Sequence, residues 1–302
     1  MVTGANGFLG RHLCVALKAA GHTLTELMSR QTDLRNPTSL FEFNRVKYDQ
    51  IYHLAAWTQA GDFCLSHPGE QWIINQQINT NVLTWWQAFQ SQAKLLAIGS
   101  SCCYDENFDL VEENFLKGLP TASLFTYAMT KRMLYTGLKA LHQQYGLRYL
   151  CVVPSTLYGA DYHLDGRQMH FIFDLVRKIL EGKYRQQEVV LWGDGLQKRE
   201  LIHVADFVRL AIRLMQQLDN DIINIGSGQE YSIRWYADTI SRLINYDASA
   251  IRYDTTRYVG VRSKQLNISK LKALCPDFCP IPIENGIAEI TRWYRDAVYP
   301  NG

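Results

Sequence analysis

Tyr127 and Lys131 lie four residues apart in Tyr-Ala-Met-Thr-Lys. On a helix that spacing puts a phenol and an ammonium on one face, pointing at the same place. A phenol with a pKa of about 10 is easier to deprotonate beside a fixed cation, which is what acid/base work on an alcohol–ketone pair requires. Some two dozen residues upstream, Gly99-Ser-Ser-Cys-Cys-Tyr104 closes an apolar run. Ser100, at the end of that predicted strand, offers a second hydroxyl to the same carbonyl oxygen. Tyr-x-x-x-Lys alone is a common pattern, so its meaning depends on the elements that position it.

Those elements alternate. Met1-Val-Thr3 runs into Gly4-Ala-Asn6-Gly7-Phe8-Leu9-Gly10, then Arg11 and an apolar pattern of helical spacing that stops at Gly21. Gly4 allows a tight turn, Gly7 a close backbone approach to a pyrophosphate, and Gly10 close helix packing, with the phosphate on the helix N-terminus. Asn6, Phe8 and Leu9 complete this cofactor turn. Only three residues precede Gly4, where a strand normally has about five, and we read this as a start that is a few residues short. A second strand is expected over Leu24–Met28, followed by Ser29-Arg30. The absence of an acidic residue there, with Arg30 and Arg11 both near the turn, favours NADP(H) over NAD through the 2′-phosphate. Asp33 and Leu34 are expected at the adenine edge.

A buried strand over Tyr48–Ala56 ends in Leu54, Ala55 and Ala56, small enough to leave room for a nicotinamide; His53 within it reads as a core residue. Pro68–Gln90 predicts a long helix. Its adjacent Trp85 and Trp86 are too bulky to face one core together, so one of them either serves a homodimer interface through this helix and the Tyr127 helix or makes a large contact within the domain. Strands follow at Lys94–Ile98, carrying Ser100 at the ligand-binding end of an open α/β sheet, and at Leu147–Val153. The expected fold is α/β: a Rossmann-type doubly wound parallel sheet with a smaller, interleaved C-terminal α/β substrate domain. Residues 1–157 and about 203–226 would form the first, and about 158–202 and 227–302 the second.

Composition narrows the classes. The chain has 302 residues, 47% hydrophobic and 20% charged, with net charge +2, which suits a globular enzyme rather than a nucleic-acid binder needing a basic stripe. No apolar run is long enough for a membrane span and no signal peptide is evident. Seven scattered cysteines point to a reducing cytoplasm. Cys275 and Cys279 lack further ligands nearby, so no metal is expected.

Taken together, the glycine turn, His53-Leu-Ala-Ala56, Gly99-Ser-Ser-Cys102, Tyr127-x-x-x-Lys131, Pro154-x-x-Leu-Tyr-Gly159, His170 and Trp192-Gly-x-Gly…Arg199-Glu-x-x-His203-Val resemble the extended short-chain dehydrogenase/reductases. Within that family the chain is most similar to the GDP-L-fucose synthases, which epimerise and reduce a GDP-4-keto-6-deoxy sugar. The resemblance runs from Gly4 to about Tyr294. It implies that Ser100, Tyr127 and Lys131 form a reductive triad and that Cys102 and His170 are the epimerisation pair. It also implies that Pro154 and His170 help to hold the cofactor, and that Ser101, Thr156, Lys178, Trp192 and Arg199 meet the nucleotide-sugar substrate.

A C4 ketone acidifies the hydrogens on C3 and C5, so a thiolate on one ring face removes one while an imidazolium returns a proton on the other. A thiol of pKa about 8.5 must be lowered to act as a base at neutral pH, and the sequence does not show the cation that would do so. Cys103 points the other way if the segment is extended and reads as packing. The chain departs from the family at Thr156, where an asparagine is usual, at Trp57-Thr-Gln-Ala-Gly61 and at Arg262-Ser-Lys264…Asn267. These changes bear on the sugar more than on the chemistry. The alternatives are a 4-keto reductase or single epimerase on another nucleotide sugar, or a cofactor-binding sensor without turnover.

Overall fold

The computed structural model describes residues 1–60, 63–257 and 260–300. Apolar runs and amphipathic stretches alternate as β1 (Val2–Thr3), α1 (Phe8–Ala19), β2 (Glu26–Leu27), β3 (Gln50–His53), α2 (Phe63–Ser66), α3 (Pro68–Phe89) and β4 (Lys94–Ile98). Next come α4 (Phe125–Tyr145), β5 (Tyr149–Pro154), β6 (Thr156–Tyr158), α5 (Phe171–Arg185), β7 (Val190–Trp192), β8 (Lys198–His203) and α6 (Val204–Gln217). The chain closes with β9 (Asp221–Ile225), β10 (Glu230–Ser232), α7 (Ile233–Leu243), β11 (Arg252–Asp254), α8 (Ser269–Leu274) and α9 (Ile283–Val298).

Six of these strands form one parallel sheet in the order β2-β1-β3-β4-β5-β9. Leu95-Leu-Ala97 and Leu150–Val153 are fully buried, as strands covered by helices on both faces must be. The chain leaves β1 toward β2 and later returns on the other side at β3. That reversal opens a crevice at the carboxyl ends of the strands, the place where α/β sheets bind ligands. β1 is short, yet its register is set on both sides, Val2 opposite Glu26 and Tyr52, and Thr3 opposite Leu27 and His53.

The second layer is built from the sheet β10-β8-β6 and the pair β11-β7. Its core joins Phe173 and Ile179 of α5, Leu201 of β8, Tyr236 of α7, and Ile287 and Ile290 of α9. The chain crosses into it after β5, returns through α6 and β9, and leaves again at β10. One segment departs from the expected division: Leu266, Ile268, Leu271 and Cys275 pack in the first core, with α8 lying against β9. An amphipathic turn of this length carries no local sign of which core it serves, and only the packing on β9 decides it.

Trp85 and Trp86 make the contact within the domain rather than one between subunits. Both are buried within the chain, at 2% and 0% exposure. Adjacent helix positions diverge by about 100°, and α3 has covering structure on both sides. The Trp85 indole donates to Asn44 Oδ1 (2.8 Å) and the Trp86 indole to the Ala93 carbonyl (2.9 Å). The pair therefore gives no ground for a subunit interface.

Gly10 is where α1 meets the glycine turn most closely. A Cβ there would lie 2.2 Å from the Gly4 carbonyl oxygen and 2.8 Å from Ala5 backbone carbons, none of which can rotate away. Gly10→Ala is expected to lower stability by about 1–3 kcal/mol and to weaken dinucleotide binding. Gly69→Ala, on α3 with nothing within 4 Å of the new methyl, is expected to be neutral or stabilising by up to about 1 kcal/mol. Urea unfolding of the two variants checks the contrast, and equal midpoints would contradict it.

Candidate active site

The crevice is bounded first by the glycine turn. Gly4 has φ +68°, a conformation open to glycine at little cost. Gly7 caps α1 without any side-chain hydrogen bond, and the first turn of the helix carries no acidic residue. The N–H groups at that end are thus presented to an anion, with the helix dipole behind them, and the turn fits a dinucleotide pyrophosphate. Thr3 Oγ1 accepts from the N–H groups of Leu54 and Ala55 (both 3.1 Å) and contacts His53 Nδ1 (2.9 Å). His53 Nε2 meets Asn79 Oδ1 (3.1 Å). Burial pushes this imidazole down to about 4, so His53 is a neutral core group that pins β1 to β3 and leaves Ala55 and Ala56 at the crevice wall.

Two residues of the turn are used otherwise than expected. The Phe8 ring is held between the layers, edge-on to Tyr162 (5.1 Å) and Phe173 (6.1 Å). The Arg11 guanidinium turns to the carbonyls of Asn6 (2.8 Å) and Asp161. Arg30 is exposed just beyond β2, while the Asp33 carboxylate is taken up by Arg35 (2.7 Å), which holds its pKa below the usual range.

At the end of β4 the chain makes a single 3₁₀ turn, Ser101–Cys103, rather than continuing extended. Ser100 caps it, its Oγ accepting from the Cys102 N–H (3.2 Å). This turn, not strand alternation, buries Cys103, whose Sγ meets the Ala128 carbonyl (3.4 Å). Helix α4 brings Tyr127 and Lys131 onto one face, with Lys131 Nζ 5.9 Å from the Tyr127 ring centre. The Ser100 hydroxyl lies near enough to the Tyr127 phenol to favour its ionised form.

The electrostatics run opposite to the sequence expectation. Burial, then the thiols of Cys102, Cys103 and Cys64, push the Tyr127 phenol up, and the Ser100 hydrogen bond only partly opposes them. Burial likewise pushes the Lys131 ammonium down. Tyr127 therefore holds its proton at neutral pH, the form from which a proton can be given to a developing alkoxide.

Cys102 is partly exposed, and the cation beside it comes from the far end of the chain: Lys264 Nζ donates to Cys102 Sγ at 3.1 Å. At 162 residues' separation, no spacing signal announces this contact. His170 stands at the N-cap of α5, 6.4 Å from Tyr162. Desolvation by the surrounding protein, then nearby His163, pushes its imidazole down to about 4. Its side chain keeps exposed surface, and the ring is neutral at pH 7.

Of the expected substrate residues, Lys178 and Trp192 line one cleft of about 360 Å³ together with Arg177, Arg252 and Arg257. Trp192 is 54% exposed, with the Arg257 guanidinium 5.6 Å from its ring centre. The cations there are already engaged, Arg177 and Lys178 with Asp174, and Arg252 with Glu188. Arg199 lies apart on β8, donating to the Lys198 and Val261 carbonyls. Thr156 opens β6, next to Pro154 at the end of β5, and Ser101 begins the 3₁₀ turn. In the expected sugar loop, Trp57 packs on Phe63 (4.7 Å), and Asn75 both donates to its carbonyl and accepts from its N–H (both 2.9 Å); Gly61 lies outside the described residues.

Comparison with known proteins agrees with this geometry. Residues 1–226 match the model of the NAD dependent epimerase/dehydratase family. The chain is 27% identical to the GDP-L-fucose synthase of Escherichia coli (strain K12), over 98% of this chain and 96% of that protein. It is 26% identical to a dTDP-4-dehydro-6-deoxy-D-allose reductase from a Streptomyces species, over 98% and 95%. A GDP-L-fucose synthetase structure from Naegleria fowleri superposes with TM-score 0.86 at 24% identity, covering all of this chain and 94% of that one. A match across the glycine turn, the Ser100 turn and the Tyr127 helix, continuing to the end of β9, establishes that the chain belongs to the NAD dependent epimerase/dehydratase family.

Proposed function

We propose that the chain is an NADPH-dependent epimerase–reductase acting on a GDP-linked 4-keto-6-deoxy sugar. The observation that carries the reading is the Ser100–Cys103 turn: it sets a hydroxyl beside the Tyr127 phenol and a Lys264-paired thiol two residues apart. One oxygen and one carbon of the same keto sugar are thereby addressed from a single turn. A dinucleotide held at the glycine turn would supply the hydride. Ser100 and Tyr127 donate to the C4 oxygen, where charge develops in both enolisation and reduction. Tyr127 then releases its proton to that oxygen, and Lys131 offsets the phenolate charge left behind. Cys102 and His170 exchange protons with C3 and C5. Since His170 is neutral in the free protein, it takes up a proton before it returns one.

A second reading, reduction without epimerisation, is favoured by the similarity to the dTDP-4-dehydro-6-deoxy-D-allose reductase. A panel of GDP-, dTDP- and UDP-4-keto sugars, followed by NADPH oxidation and by solvent deuterium entry, separates the two. Deuterium at C3 and C5 of the product is expected; reduction without label would establish the second reading.

Tyr127→Phe is expected to abolish NADPH oxidation while NADPH binding, followed by fluorescence, stays near that of the parent; unaltered turnover would remove the triad from the mechanism. With Cys102→Ser, deuterium entry at C3 and C5 should slow by roughly 10²-fold or more, the range for lost acid/base catalysis. Label washing in at the parental rate would make the cysteine a bystander. Arg30→Ala should weaken NADPH binding by roughly 10- to 100-fold, the worth of a charge-assisted contact, with NADH little changed. An equal loss for both cofactors would place the 2′-phosphate elsewhere.

A further inference from the structure

We propose that Lys264 is a positioning residue for Cys102: its ammonium fixes the sulfur and balances the negative charge left on it when the thiol proton departs. This rests on the reading of Cys102 as an epimerisation group. When the S–H proton passes to a carbanionic carbon or to His170, the bonding pair stays on sulfur. In a partly buried turn that charge needs a donor close by. The Lys264 ammonium is 3.1 Å from the sulfur, and no carboxylate among the described residues shares it.

The contact is built, because residues 262–267 form a strap tied to both layers. On the substrate side, the Lys198 N–H donates to the Arg262 carbonyl (2.8 Å), and the Glu230 carboxylate accepts from Ser263 Oγ (2.8 Å) and the Lys264 N–H (3.2 Å). The Leu266 N–H donates to Glu200 Oε2 (2.8 Å). On the dinucleotide side, the Asn267 N–H donates to the Leu110 carbonyl (3.0 Å) and Asn224 Nδ2 to the Asn267 carbonyl (3.1 Å). Lys264 sits between these anchors with its backbone held. Its side chain is therefore delivered to the 3₁₀ turn at the meeting of the layers, and a sulfur with its counter-cation exists only where the two are closed on each other.

The test is alkylation by iodoacetamide at pH 7, which reads the thiolate, with Cys102 and the exposed Cys279 quantified by peptide mass spectrometry in the substrate-free protein. In Lys264→Met the Cys102 rate should fall about tenfold, as expected for a lost opposite charge at contact distance, while Lys264→Arg stays within about threefold of the parent. The Cys279 rate and NADPH binding should be unchanged in both, which excludes misfolding. A Cys102 rate in Lys264→Met equal to or above that of the parent overturns the proposal, and so does an equal fall in Lys264→Arg. With a GDP-4-keto sugar, deuterium entry should fall in parallel with alkylation. If alkylation falls as stated but the parent exchanges no label into any sugar, the pairing stands and only the epimerase reading fails.

Discussion

Arg132 is the constraint on which the site's geometry depends. It is 6% exposed, and a guanidinium so placed is costly unless its donors are satisfied. Here Nε donates to the Cys103 carbonyl (2.9 Å), Nη1 to the Gly118 carbonyl (2.8 Å) and Nη2 to the Lys117 carbonyl (2.7 Å). Because Arg132 follows Lys131 on α4, these bonds clamp the Ser100–Cys103 turn to the helix that carries Tyr127. From the other side, Tyr104 donates to Asn224 Oδ1 on β9 (2.6 Å). The relation between the two hydroxyls is thus set by groups that never touch a ligand.

Desolvation governs the chemistry of the crevice more than charge pairing does. It raises Tyr127 and lowers Lys131, His53 and His170, so these groups sit in their uncharged forms or are pushed toward them. In the proposed mechanism the groups asked to carry transient charge are those with a donor or cation at hand, the phenol beside Ser100 and Lys131 and the sulfur beside Lys264. Glu200 shows the same balance in the substrate layer: burial raises its carboxyl to about 7 against the N–H groups of Leu266, Gly228 and Ser227.

Several assignments were legible because they rest on short-range geometry. The glycine turn, the i, i+4 pair Tyr127 and Lys131, and the serine at the end of β4 follow from local spacing. The parallel sheet follows from apolar runs alternating with helical patterns. Expectations failed where a local rule met a three-dimensional surface. Phe8 and Arg11 belong to the turn by sequence, but are drawn to Tyr162, Phe173 and Asp161 across the layers. Of the two roles open to Trp85 and Trp86, the structure takes the contact within the domain, because α3 is covered on two sides. Cys103 packs in the core as expected, though it is a 3₁₀ turn rather than strand alternation that turns it inward.

By itself the sequence determined the fold class, the glycine turn at the head of α1, and the placing of Ser100 at the end of β4 and of Tyr127 and Lys131 on one helix face, since helix and strand periodicities alone place these groups. Only the tertiary structure decided the protonation of Tyr127, which depends on the thickness of protein around it. It alone also placed α8 in the first core and Lys264 beside Cys102. A partner 162 residues away is joined through a strap anchored on Glu200, Glu230, Leu110 and Asn224, and no periodicity in the chain records a contact that depends on how two layers close.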